Sequence, residues 1–554
     1  RNYSWRNQLN FNKTIDKHAI AVIAGAEVSQ YRMDGTNNPW VWGYDDKTNR
    51  MSPLPFGGRS IAGLIQLKNI IGSNLPQLDQ SAFGYTDLAV GAPKSRQRID
   101  YNTDAASFSY RNDRYVSVFG NASYTYDNKY SISGSARSDA SNLITNDPKY
   151  RWAPLWSVGG LWHVSREDFM KPAADWLSRL SLRLTYGFNG NVEKSTSPLT
   201  LINMSQIPSS NTGTYTGTFV QGNPLLRWER TGTTNAGIDF ALFGNRLYGS
   251  VDVYSKKGVD ILGDVPQPTI NGGLATQRVN QARISNKGIE IELGVNTKLN
   301  ESGLSMNTKL TYAYNRNKVT ALNNSSIQSQ TAASGTTFTE GYPVASLWSY
   351  VYAGMKDGEP QISRAGDQTT YPMSSNAMAI ANYDDGYLVY SGAGISPHTA
   401  GLQGTLSGYG FDFSFLVVGN FGGKFRNPTF NYPLLTLGKD IIPTFVKDVL
   451  NGSGDIPSWP EPNSSSFSSW ATYTPYLSSL VESASFIKLK ELNLEYRLPR
   501  SITDRIKMGN IKIFTQVRDL GCIWKANSRK YDPEWLPGTL APTTTYAFGF
   551  NVNF

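Results

Sequence analysis

The strongest constraint on this chain is an alternation of apolar and polar residues with period two, sustained over about ten residues at a time and repeated along the whole sequence. In a strand, successive side chains point to opposite faces, so such a pattern gives each strand one apolar and one polar side. From Leu180 to Asn189, the residues Leu180, Leu182, Leu184, Tyr186 and Phe188 share one face, and Ser181, Arg183, Thr185, Gly187 and Asn189 share the other. Ala236, Ile238, Phe240 and Leu242 oppose Asn235, Gly237 and Asp239, and Gly244-Asn245-Arg246 then turns into Leu247 to Tyr254, a tight hairpin. Ile289, Ile291, Leu293 and Val295 alternate with Glu290, Glu292, Gly294 and Asn296, and the polar turn Asn300 to Gly303 leads into Leu304 to Tyr314. This is the pattern of a transmembrane antiparallel β-barrel, in which lipid-facing and interior side chains alternate. A carboxylate on the lipid side costs on the order of 1 kcal/mol or more, depending on depth, so Glu290 and Glu292 are expected to face a water-filled interior.

The alternation predicts about fifteen strands, near 3–13, 19–31, 116–126, 130–139, 154–164, 180–190, 231–242, 247–257, 283–298, 304–318, 399–406, 411–421, 487–498, 511–520 and 544–554. Connections around Asp16, Asp127, Gly244, Asn300, Gly408 and Ser501 are short, whereas those at 32–115, 191–230, 258–282, 319–398 and 422–486 are long. Short turns belong to the periplasmic side of an outer-membrane barrel and long loops to the outside. The mid-length connection 165–179 is expected to hold one helical turn within Asp168 to Leu177. Bacterial single-chain barrels have an even strand count, so an odd number of strands is expected to precede Arg1. Residues 1–554 then read as one unit, the C-terminal part of a larger barrel whose other strands and plug lie outside this chain. The chain opens at Arg1 with neither a methionine nor a basic-then-apolar signal, consistent with a processed chain or a piece of a longer one.

Composition removes the competing classes. No run approaches the ~18 consecutive apolar residues of a membrane helix, and a mean hydropathy of -0.37 averages over alternating faces. Cys522 is alone, and His18, His163 and His398 are far apart, which excludes a disulfide framework and argues against a zinc site. The net charge is +9, but Lys and Arg are scattered among Asp and Glu, so nucleic acid is not an expected partner.

No catalytic constellation stands out. GxGxxG and Walker-type loops are absent, and His163 has no recognisable nucleophile partner. Asp45-Asp46 and Asp384-Asp385 lie in loops rich in Asn and Gly; Ca²⁺ ligation there is the sharper reading and solvated turn chemistry the favoured one, so no metal or cofactor is expected. Better candidates are Trp40, Trp42 and Tyr44 in NNPWVWGYDD, and Trp348 and Tyr350 in EGYPVASLWSYVY. Aromatics interleaved with amides and carboxyls stack on sugar faces or grip peptide backbones; packing of loop against loop is the competing reading. In the last segment Tyr546, Phe548, Phe550, Val552 and Phe554 share one face, which looks like the assembly signal of outer-membrane barrels.

Several stretches resemble the SusC/RagA-type TonB-dependent outer-membrane transporters. They are YTYDNKYSISGSARSD (Tyr124 to Asp139), WSVGGLWHVSREDFM (Trp156 to Met170), LRLTYGFNGN (Leu182 to Asn191), NPLLRWERTGTTNAGIDFALFGNRLYGSVDVYSKKGVDIL (Asn223 to Leu262), ISNKGIEIEL (Ile284 to Leu293), SFIKLKELNLEYRLP (Ser485 to Pro499) and YDPE (Tyr531 to Glu534). The chain departs from the pattern in VRDLGC, where Arg518 and Asp519 replace a usual Gln-Asn or similar pair. The resemblance implies a barrel of about 22 strands with an N-terminal plug. It also implies a SusD-like surface lipoprotein as lid, dimers of transporter and lipoprotein pairs, and energy from the TonB complex. An outer-membrane importer of an oligosaccharide or peptide is thus the expected function, with a passive porin or an extracellular glycan-binding adhesin as the alternatives.

Overall fold

The computed structural model describes residues 1–37, 44–45, 50–51, 107–145, 147–194, 196–206, 215–220, 222–266, 276–299, 303–323, 327–356, 359–365, 369–372, 381–427, 473–505, 507–527, 531–535 and 539–553. Fifteen of its strands join one sheet in which spatial order equals chain order. They are β1 (Asn2–Ile15), β2 (His18–Asn37), β3 (Ser107–Tyr126), β4 (Tyr130–Ser141) and β5 (Trp152–Trp162). Next come β6 (Leu177–Asn191), β7 (Glu229–Leu242), β8 (Leu247–Pro266), β9 (Thr276–Lys298) and β10 (Ser305–Leu322). The set closes with β11 (His398–Gly408), β12 (Phe411–Phe421), β13 (Phe486–Arg497), β14 (Asn510–Lys525) and β15 (Thr545–Asn553). All registers from β3 to β15 are antiparallel. Each segment expected from alternation is present as a strand.

Connections at one end of the sheet are tight. Between β3 and β4, Asp127 and Asn128 both take φ 53°, and Lys129 N–H donates to Tyr126 O at 2.9 Å. Two left-handed residues give a hairpin turn whose twist matches its strands, and Asp and Asn tolerate that conformation. The mid-length connection after β5 is helical as expected, with 3-10 turns at Val164–Arg166 and Asp168–Ala173. Glu167 ties it down, accepting from Trp162 Nε1 at 3.0 Å and Lys129 Nζ at 3.4 Å.

The sheet has two chemically distinct faces. On one, Val158, Leu184, Ile238, Val253, Phe548 and Phe550 are exposed, the last two at 78% and 75%. On the other, Ser133, Ser157, Thr185, Asp239, Asp252 and Glu290 follow one another through the register. A soluble sheet buries its apolar face; here that face is exposed, which suits a surface that meets hydrocarbon.

Several strands run beyond their expected limits at the long-loop end: β3 starts at Ser107 rather than 116, β8 reaches Pro266 rather than 257, and β9 starts at Thr276 rather than 283. Past the apolar zone neither face has to be apolar, so hydrogen bonding continues while alternation stops. Register shifts between Gly258 and Ile261 mark the change in β8. The segment before β7 is knotted into this end. Leu226 is fully buried and Trp228 is 8% exposed, packed with Ile144, Ala153 and Leu262. Asn223 Oδ1 accepts Leu225 N–H at 3.0 Å, and Glu229 Oε1 accepts Leu262 N–H at 2.9 Å.

The chain divides into two compact units. The smaller comprises Arg1–Trp5, Ser29–Arg114 and Phe430–Ile442, the larger the remainder. Within the smaller, Arg32 Nε pairs with Asp34 at 3.1 Å and the guanidinium lies 5.0 Å from the Tyr110 ring centroid. Asp113, 1% exposed, is held by Arg111 Nε at 2.9 Å.

Candidate functional site

Two places in the larger unit gather polar chemistry: the polar face of the sheet, and a module built from the connections β10–β11 and β12–β13.

On the polar face, Arg183 of β6 reaches across β7. Its Nε lies 2.7 Å from Asp239, and Nη2 lies 3.1 Å from Asp252 on β8. Between them sits Gly237, where a Cβ would stand 2.6 Å from Asp252 Oδ1 and 2.8 Å from Arg183 Nη2. Only glycine leaves the guanidinium room to bridge both carboxylates. Further along, Glu292 pairs with Lys309 at 2.8 Å. Asp252, Glu290, Glu292, Thr311, Thr399 and Asn420 line an open groove of about 440 Å³. The expected orientation of Glu290 and Glu292 is thus the observed one, opposite the apolar residues of their own strand.

The loop module has its own core. Tyr350 is fully buried and Trp348 5% exposed, packed among Ile327, Ile362, Tyr387, Leu388, Leu477 and Leu480. Both lie on the strand Ser346–Lys356, which pairs with Glu359–Ser363 on one side and Leu388–Ala393 on the other. The Tyr350 hydroxyl meets Ser329 Oγ at 3.1 Å, and burial pushes its pKa up to about 12. Around Trp348 stand Tyr342 at 4.7 Å, Tyr383 at 5.3 Å and Tyr390 at 5.8 Å between ring centroids. Arg426, from the β12–β13 connection, fastens the two loops together. Its Nη2 donates to Trp348 O at 2.7 Å and Ser349 Oγ at 3.2 Å, and Nη1 donates to Ala333 O at 3.3 Å. The guanidinium is 5.2 Å from the Tyr476 ring centroid, and burial lowers its pKa below the ordinary arginine value.

Where β14 leads to β15, Lys488 of β13, 3% exposed, grips Asp532 at 2.7 Å and also Glu534. Burial alone would raise the pKa of Asp532; the Lys488 ammonium and the Glu534 N–H outweigh it and hold the carboxyl below its ordinary range.

The residues singled out from sequence fall in different places. Trp40, Trp42 and Phe554 lie outside the described residues, and Tyr44 pairs through its backbone with Met51. Trp348 and Tyr350 are brought together inside the loop module. Asp385 accepts the Asn382 N–H at 2.8 Å in a turn, with Asp384 exposed beside it. Tyr546, Phe548, Phe550 and Val552 share the apolar face of β15. Sequence reasoning missed Arg426 and Lys488 as anchors. A lone Arg in a Gly-rich loop carries no pattern; the period-two spacing of Trp348, Tyr350 and Tyr352 is a strand signal that the reading of 319–398 as a long connection passed over.

Comparison with known proteins matches residues 1–432 to a family described as TonB dependent receptor-like, beta-barrel. A TonB-dependent receptor of Formosa agariphila is 26% identical over 478 residues, covering 82% of this chain and 46% of that protein. The TonB-dependent receptor SusC of Bacteroides thetaiotaomicron is 28% identical over 324 residues, 54% of this chain and 30% of SusC. The chain therefore spans about half or less of these relatives. A solved structure of the RagAB peptide transporter superposes with a TM-score of 0.69 at 22% identity, covering 100% of this chain and 55% of that one. At that identity the likeness shows the fold.

Proposed function

The chain belongs to the TonB-dependent receptor β-barrel family, and on that premise we propose that it forms wall and extracellular loops of an outer-membrane importer for an oligomeric nutrient. Residues 1–554 supply the C-terminal part of the barrel, completed by further strands and a plug from the rest of the protein. The TonB complex supplies the energy through the plug, and a SusD-like lipoprotein closes the outer mouth, with two such pairs assembling as a dimer. One observation carries the reading: a single sheet exposes Leu184, Val253 and Phe548 on one face while Arg183, Asp239 and Asp252 form an ion network on the other. That division suits hydrocarbon outside and water within.

The solute is a peptide or an oligosaccharide, the peptide arm supported by the name of the RagAB peptide transporter. Trp40, Trp42 and Tyr44 are proposed to touch it, and Trp348 and Tyr350 to shape the loop module that presents contact surface. Tyr546, Phe548, Phe550, Val552 and Phe554 are proposed as the assembly signal. The test is accumulation of labelled oligopeptides and oligosaccharides by cells carrying the full-length protein, with TonB present or deleted. Uptake that needs TonB is expected; equal uptake without it would make the protein a passive pore, and recovery of the protein in soluble form without detergent would make it an adhesin.

A further inference from the structure

We propose that the outer face of β12–β15 binds one anionic phospholipid of the periplasmic leaflet, its acyl chain in an apolar groove and its phosphate against the basic β13–β14 turn. The groove has a volume of about 700 Å³ and is lined by Phe411, Leu494, Tyr496, Ile513, Phe548 and Phe550, among others. Every one of these six belongs to the apolar face, and Phe548 and Phe550 are among the most exposed aromatics of the chain. A flat barrel wall offers lipid only a smooth surface; here the wall has a furrow, continuous with the face already assigned to the bilayer.

The groove lies at the short-turn end. Leu498, which also lines it, is two residues before Arg500, and Phe411 follows the turn between β11 and β12 directly. The β13–β14 turn carries Arg500, Arg505 and Lys507, all exposed, against a single acid, Asp504. None of the three cations joins an ion pair among the described residues. Basic side chains at a membrane surface attract anionic headgroups, and their attraction falls away within a Debye length. An apolar slot bordered by a turn that carries three cations outside any ion pair therefore matches an acyl chain with a negatively charged head. A zwitterionic lipid would fill the slot but gain less from the turn, and an apolar protein segment without carboxylates would leave the cations without partners.

The proposal rests on the membrane reading of the sheet but not on import. The full-length receptor with its companion subunits is purified in mild detergent and titrated with phosphatidylglycerol or phosphatidylethanolamine, and bound lipid is counted by native mass spectrometry. Preferential binding of one phosphatidylglycerol is expected. The triple variant R500Q/R505Q/K507Q should weaken it by at least about fivefold, the factor expected from even one lost charge contact. Ile513→Trp, at a position 52% exposed, should block the slot and abolish binding with all cations in place. Equal binding of the two lipids, or undiminished phosphatidylglycerol binding by either variant, overturns the proposal. Heat-modifiable migration of all three proteins on gels keeps a folding failure apart from a binding failure. A wild-type protein that stays soluble without detergent would instead sink the membrane reading itself.

Discussion

The ring of Phe514 on β14 fills the space in which a side chain at Gly549 on β15 would stand: a Cβ there would lie 2.6 Å from Cζ and 2.8 Å from Cε1. The two residues are direct partners in the register. The same cross-strand pairing of an aromatic with a glycine recurs at Tyr254 and Gly288, and at Phe415 and Gly404. Gly549→Ala is expected to destabilise the assembled sheet by about 1–3 kcal/mol through overpacking. Phe514→Leu in the same chain should recover most of that loss. Denaturant midpoints of the four proteins in the cycle check it, and additive losses would count against the pairing.

Removing Arg183 leaves Asp239 and Asp252 facing each other across Gly237. Arg183→Met should lower stability by about 1–2 kcal/mol, less than for a fully buried pair because all three groups keep some solvent access. Arg183→Lys should restore only part, since an ammonium lacks the fork that reaches two strands. Heat-modifiability of the purified barrel is the readout.

Arg426→Met should detach the β12–β13 connection from the β10–β11 connection at a cost of about 1.5–3 kcal/mol for its charged hydrogen bonds. Intact cells treated with protease should then show faster cleavage in these loops, while the spanning sheet remains protected. Unchanged cleavage would mean the loops hold together without the clip.

Tyr350 makes the loop module sensitive to alkali. Its hydroxyl ionises at about 12 when folded, against 10.0 for the ordinary side chain, so the folded form favours the neutral phenol. Stability from this group is complete below pH 10 and is lost as pH rises toward 12. Tyr350→Phe should take one phenol out of the high-pH end of a tyrosinate absorbance titration and cost about 1 kcal/mol for the Ser329 hydrogen bond. A titration curve identical to wild type would reject the assignment.

Trp40→Ala with Trp42→Ala should weaken solute capture, each lost aromatic contact costing above about 1 kcal/mol, with barrel yield unchanged. Normal capture by the double variant would return both residues to loop packing.

Legibility of the fold in the sequence followed from how tightly each position is constrained. Leu180 to Phe188 spelled out β6 because one face there had to be apolar, and the tight connections placed its neighbours. Where that demand ends, at 258–266 and 276–282, the strands continue but no alternation marks them. The loop module was illegible for a different reason. Arg426 meets Trp348 across 78 residues of sequence, and nothing local forecasts such a meeting. Arg183 was readable as a polar-face residue, but its two partners depend on a register that only the assembled sheet defines.

Because every strand of the sheet borders only its neighbours in sequence, no strand has to be threaded between two already in place. A pair of strands with its tight turn is a removable unit. A lineage can widen or narrow such a wall by copying or deleting one hairpin, leaving all other pairings untouched. The long connections are free to diverge independently of that edit, so the width of the sheet and the chemistry of its long loops are separately heritable traits.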